Sequence, residues 1–133
     1  VVGAAVRILV TGSRDWTDGQ VIEEALLTAW LDAGCPPKEH TTVVHGGARG
    51  ADSIADAIAR RVGLQVEVHH PVWRQRSRDG VDRGAGVRRN QEMVDAGADV
   101  CLAFILNGSR GATHCADAAV RAGIPTRRVF RGG

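Results

Sequence analysis

Lysine is almost missing from this chain. Of its 17 basic residues only Lys38 is a Lys, and it lies away from every glycine-rich turn, so no G-x-x-x-x-G-K-[ST] phosphate loop is present. No G-x-G-x-x-G follows the first strand-like run, which weakens a dehydrogenase reading. No G-x-S-x-G elbow occurs either, leaving hydrolase-type acyl chemistry without a nucleophile. The longest apolar run, around Val100–Leu106, falls far short of the roughly 20 residues of a membrane span. The opening Val1–Val10 carries Arg7 and has no basic start, so it is not read as a signal peptide. Three cysteines (Cys35, Cys101, Cys115) without a C-x-x-C pair indicate neither a disulfide framework nor a zinc knuckle. A reduced, cytoplasmic setting is expected, with no membrane association.

What is present fits one globular domain. The 133 residues, 44% apolar and 24% charged, are the usual size and composition of a single domain, with the core expected over about 7–129. Sixteen of the basic residues are Arg, yet the net charge is only +2. That balance is too mild for a protein that coats DNA, while Arg suits planar, two-donor contacts to phosphate.

Strand-like and helical patterns alternate. Arg7–Thr11, Thr41–His45, Leu64–Val68, Val100–Ile105 and Thr126–Phe130 read as strands, the fourth apolar enough to be covered on both faces. Between them, Val21, Ile22, Ala25, Leu26, Ala29 and Trp30 recur at helical spacing after a T-x-x-Q capping box at Thr17–Gln20, and Ala51, Ile54, Ala55, Ile58, Ala59 and Val62 form a second stripe. Ala33-Gly34, Val62-Gly63, Ala96-Gly97 and Ala122-Gly123 mark helix ends. This rhythm predicts an α/β fold: a Rossmann-like three-layer sandwich around a mostly parallel sheet of about five strands, order 3-2-1-4-5. His70–Ala85 breaks the rhythm and carries Arg74, Arg76, Arg78 and Arg83. It reads as a solvated basic loop or as a lid.

Three glycine-containing turns follow strands one, two and four: Thr11–Asp15, Gly46–Asp52 and Asn107–Thr113. Ligands of open α/β sheets bind beyond the carboxyl ends of the strands, where strand order reverses, so the crevice between strands one and four is the expected site. Glycines let backbone approach an anion, and N–H groups at a helix start point toward it. Ser13, Ser109 and Thr113 add hydroxyls, and Arg14, Arg49 and Arg110 add two-donor clamps. One such turn is ordinary in α/β proteins; three at one sheet edge favour a phosphate-bearing ligand. Gly86–Glu92 (GVRRNQE) opens the third helix and places Arg89 or Asn90 over that ligand; the plainer alternative is an exposed first turn with Glu92 complementing the dipole. His69 and His70 adjoin on opposite strand faces and make a poor chelate. His45 and His114 flank the site as hydrogen-bonding neighbours, and Cys101 and Cys115 read as core. No metal and no cofactor are expected.

Taken together, GSRDW, HGGARGAD, RRNQEMVDAGAD and NGSRGAT followed by AGIP resemble the YpsA-related branch of the SLOG superfamily, which also holds the DprA-like and LOG proteins. The likeness spans about Arg7 to Val129. It implies a Rossmann-like fold and a pocket for a nucleotide or nucleotide-derived ligand. Carried over, the pocket takes Gly12, Ser13 and Arg14, then Gly46, Gly47, Arg49, Gly50 and Asp52, then Arg89 and Asn90, and finally Gly111 with Thr113. The LOG phosphoribohydrolases carry a glutamate in their last motif, and its position here is Cys115. A binding module, as sensor, carrier or sequestering protein, is therefore expected ahead of the alternative, a nucleotide-processing hydrolase cleaving an N-glycosidic or phosphoester bond with Asp52 or Glu92 as acid or base. Asp52 is otherwise a helix cap or the orienter of Arg49, the second preferred. Homo-oligomerisation, first as a dimer, is expected, with Trp16 and Trp30 as interface material or as packing against the sheet. Nucleic-acid binding through the basic loop and Trp73 ranks last, because one aromatic is too few for a stacking platform.

Overall fold

Strands that are apolar on both faces need cover on both faces, and the chain supplies it. A computed structural model describes residues 5–73 and 84–131. In it β1 (Val6–Gly12), α1 (Gly19–Asp32), β2 (Thr41–His45), α2 (Ala51–Val62), β3 (Gln65–Val68), α3 (Ala85–Ala96), β4 (Val100–Leu106), α4 (Arg110–Arg121) and β5 (Thr126–Arg131) alternate. All strand pairs are parallel, in the order β3-β2-β1-β4-β5, which is the expected Rossmann-like sandwich.

Alternation along each strand sorts the two cores. Ile8 and Val10 of β1, with Leu102 and Phe104 of β4, face α1 and α2 through Ile22, Leu26, Ala55 and Ile58. Leu9, Val44 and Cys101 point the other way, onto Met93 and Val94 of α3 and Cys115 and Ala118 of α4. Trp16 is buried with its ring 5.5 Å from that of Phe104 in an edge contact, so it packs on the sheet and is not an exposed interface residue. The Trp30 indole donates to the Pro36 carbonyl at 2.9 Å.

Helix ends follow the glycine signals, and one helix start differs from the expected cap. Gly63 ends α2 in the left-handed conformation, φ 90°, and Gly34, Gly97 and Gly123 share its positive φ. The α1 cap, however, is Asp18, whose Oδ1 accepts from the Val21 N–H at 3.3 Å. Gln20 turns forward to Glu24 instead of back to Thr17: a carboxylate one residue nearer the helix displaces the predicted capping box. At the far edge Arg7 clasps both Glu67 oxygens, at 2.9 and 2.7 Å, tying β1 to β3. The basic segment's residues 74–83 lie outside the described residues, and so does the lid reading placed on them. Among the described residues no helix is long and apolar enough to cross a membrane.

Candidate functional site

The order reversal between β1 and β4 opens a cleft of about 800 Å³ at the carboxyl ends of the strands. Its walls come from all three glycine turns and from α3: Gly12–Asp15, Ala48, Arg49 and Asp52, then Gly86, Val87, Arg89, Asn90 and Met93, then Ser109–Ala112. Of the residues carried over by resemblance, Gly12, Ser13, Arg14, Arg49, Asp52, Arg89, Asn90 and Gly111 line it. Gly46, Gly47, Gly50 and Thr113 are not part of the lining, and neither is Glu92.

Packing alone requires most of these glycines. A Cβ on Gly50, at φ 78°, would collide with the carbonyl oxygens of Ser13 and Arg14. One on Gly12 would collide with Ala51 Cβ and sit 2.9 Å from the Phe104 carbonyl. The first two motifs are thus docked backbone to backbone, and the Ala51 N–H donates to the Ser13 carbonyl at 3.3 Å. Gly46 leaves room for the Arg89 guanidinium, and Gly47 for the His70 ring. Only at Gly111, among the predicted site glycines, would a Cβ meet open space.

The polar residues form a frame beneath the cleft. Arg89 donates through Nη1 to the Gly46 carbonyl at 2.5 Å and through Nε to Asn90 Oδ1 at 2.9 Å. Asn90, buried, reaches the last motif through Nδ2, 3.4 Å from both the Gly111 carbonyl and His114 Nδ1. The adjacent pair therefore joins α3 to motifs on two other elements. The Ser13 hydroxyl is turned to β4: its Oγ accepts from the Leu106 N–H at 2.8 Å and donates to the Leu106 carbonyl at 3.5 Å, extending the β1–β4 pairing. His45 Nδ1 accepts from the Gly47 N–H at 3.0 Å, which puts the ring proton on Nε2, 2.7 Å from Asp56 Oδ2.

Asp52 departs from its preferred role. Its Oδ2 accepts from the N–H groups of Gly46 and Ala48, so it holds the turn of its own motif. Arg49 instead faces Asp15 at 3.6 Å, with both side chains exposed, a contact too open to contribute much. Burial raises the Asp52 pKa, against the Ala48 and Gly46 N–H groups and the Arg89 charge. Glu92 turns outward to His69 Nδ1 at 3.2 Å. Cys115 is fully buried beside Thr11 and Asp52, its thiol pushed up to about 11 chiefly by burial.

The mouth is cationic. Arg14 and Arg110, on the first and last motifs, line the cleft without a hydrogen-bond or ion-pair partner among the described residues. Ser109 caps α4 without a side-chain bond, which leaves the first N–H groups of that helix open at the positive end of its dipole. Met93 and Val87 also line the cleft but were not picked out from sequence. Gly86, Asn90 and Met93 recur every three to four residues, and that periodicity was the available signal. Among the described residues no cluster of His, Cys, Asp or Glu is arranged to hold a metal.

Two comparisons with known proteins bear on the chain's family. Residues 6–75 match the model of the YspA, cpYpsA-related SLOG family. The chain is also 47% identical, over 124 residues, to the Gene 61 protein of Mycobacterium phage D29, covering 90% of this chain and 92% of that protein. With strand order, glycine turns and family match in agreement, the chain belongs to the YpsA-related SLOG family, a membership that carries a nucleotide-related ligand in general terms.

Proposed function

We propose that this protein binds a nucleotide or nucleotide-derived ligand in the cleft between β1 and β4 and acts as its sensor, carrier or sequestering protein. The observation that carries the reading is the pairing of Arg14 and Arg110, unpartnered among the described residues, with the open N-terminus of α4 at one cleft mouth. Two guanidinium groups and a helix dipole favour an anion with several acceptor oxygens, and a phosphate is the matching group. The cleft volume suits a ligand of nucleotide size. Gly111 keeps the approach to the α4 N–H groups clear.

Binding without turnover fits the carboxylates best. The position of the LOG glutamate is the buried thiol of Cys115, and Glu92 is engaged with His69 outside the cleft. N-glycosidic cleavage is the second reading and rests on Asp52, the buried carboxylate of the cleft lining. Three free cysteines, with Cys35 exposed, support a reducing, cytoplasmic setting. Exposed Leu27, Leu31 and Val62 beside an apolar groove between α1 and α2 support a homodimer.

A thermal-shift panel of AMP, ATP, NAD, ADP-ribose and cyclic nucleotides tests the reading, with each ligand checked for intactness afterwards. A ligand at about 100 times its Kd adds roughly 2.7 kcal/mol, a shift of several degrees. A shift with intact ligand is expected; a shift with cleaved ligand would establish the hydrolase instead. Arg14→Ala and Arg110→Ala should weaken binding with the fold intact, and unchanged affinity in both would remove the phosphate assignment.

A further inference from the structure

Two groups of fixed role orient the Asn90 amide. A guanidinium only donates, so the Asn90 atom facing Arg89 Nε at 2.9 Å is the carbonyl oxygen. Nδ2 then faces the Gly111 carbonyl and His114 Nδ1, each at 3.4 Å. A backbone carbonyl only accepts, so both ends of the amide agree. Each contact uses one of the amide's two hydrogens, and a proton on His114 Nδ1 would set donor against donor. The His114 ring therefore accepts at Nδ1 and carries its proton on Nε2. Arg89, Asn90 and His114 form a chain of hydrogen bonds that ends in an N–H.

That N–H is unused and reachable. Nε2 has no partner among the described residues, and it is open to solvent, since among them Asp52 Oδ1 is the one unpartnered side-chain atom that is closed off. His114 belongs to the lining of the cleft. It follows Arg110 by one turn of α4, so the two share a helix face, and helical side chains lean toward the N-terminus. The shared Asn90 Nδ2 sets the ring beside Gly111, in the first turn. The ring thus stands at the helix end where the proposed phosphate rests, with Arg110 on the same face. An N–H in that place serves an acceptor, and phosphate oxygens are the nearest acceptors a nucleotide would offer there. We infer that His114 Nε2–H donates to a phosphate oxygen of the ligand, its tautomer set by Arg89 through Asn90. This deepens the nucleotide reading above and rests on it.

Calorimetric titration of the full chain with the common ribonucleoside 5′-mono- and diphosphates selects a probe. His114→Phe, which keeps the bulk of a ring without its nitrogens, should bind that nucleotide roughly ten- to a hundredfold more weakly, the range of a hydrogen bond to a charged group. Its fold is checked by thermal melting. Nitrogen NMR of the labelled wild type, with the His114 ring assigned through its backbone, reads the proton directly. At mildly alkaline pH the unliganded ring should carry its proton on Nε2, and the Nε2 signal should move on saturation with the nucleotide but not with the matching nucleoside. An Nδ1–H tautomer in the unliganded protein would overturn the inference. Unchanged affinity in folded His114→Phe would overturn it too, and leave nucleotide binding standing. A signal that the nucleoside moves as far as the nucleotide would place the contact on sugar or base, again overturning it. If the variant does not fold, the wild-type spectrum decides: an Nε2 signal moved by the nucleotide supports, an unmoved one overturns. Failure of every nucleotide to bind at millimolar concentration would overturn the nucleotide reading, and this inference with it.

Discussion

The Arg89 guanidinium occupies the space a side chain on Gly46 would need, and its Nη1 donates to the Gly46 carbonyl at 2.5 Å. A residue of α3 is thereby tied to the turn after β2 by a side-chain hydrogen bond. The glycine is a seat for an arginine, and the arginine is the clamp that shapes the turn.

Gly46→Ala should displace Arg89 without breaking the fold, because the colliding atoms are the far end of a flexible side chain. The lost hydrogen bond to a charged donor is expected to cost about 1.5–3 kcal/mol. Urea unfolding measures that loss, and titration with the nucleotide found by the thermal panel should show weaker binding.

Gly50→Ala and Gly111→Ala should act in opposite directions. At Gly50 the new Cβ meets two backbone carbonyls at φ 78°, so destabilisation should exceed ~1 kcal/mol. At Gly111 it meets open space inside α4, so stability should hold or rise by up to about 1 kcal/mol. Ligand affinity should nonetheless fall in Gly111→Ala, since the methyl enters the cleft. Paired melting and binding curves read both effects; unchanged binding would take Gly111 out of the site.

Acid should loosen the sheet edge where Arg7 holds Glu67. The Arg7 guanidinium, and then His69, hold the Glu67 carboxyl down to about 2. A depressed carboxylate contributes stability fully present above its ordinary value near 4.5. That contribution is lost as pH falls from there toward about 2. The melting temperature should drop across this window, and Glu67→Gln should flatten the drop. An equally steep profile in the variant would show that the acid sensitivity lies elsewhere.

Thiol chemistry should separate one cysteine from two. Cys101 and Cys115 are fully buried, with their thiols raised to about 12 and about 11, while Cys35 is exposed. A disulfide reagent at neutral pH should therefore label one thiol per native chain and all three after denaturation. Rapid native labelling of a second thiol would mean that α4 opens readily from β4.

Sheet order and layer structure were legible without coordinates. Apolar period, glycine stops and a fourth strand apolar on every residue are local records of which faces are covered, and a parallel α/β sheet covers them that way. The family motifs also named residues that meet: turns some 90 positions apart do converge, as Ser13 and Leu106 show. What each residue does there was decided by the tertiary structure. Gly12 and Gly50 are fixed by the Ser13, Arg14 and Phe104 backbone and by Ala51, Gly46 by Arg89, and Asp52 by N–H groups of its own turn. Such roles depend on which atoms from distant segments fill the same few ångströms. Periodicity along one chain records burial but not the identity of the neighbour, so the same glycine pattern could have served an anion or another strand's carbonyl until the packing chose between them.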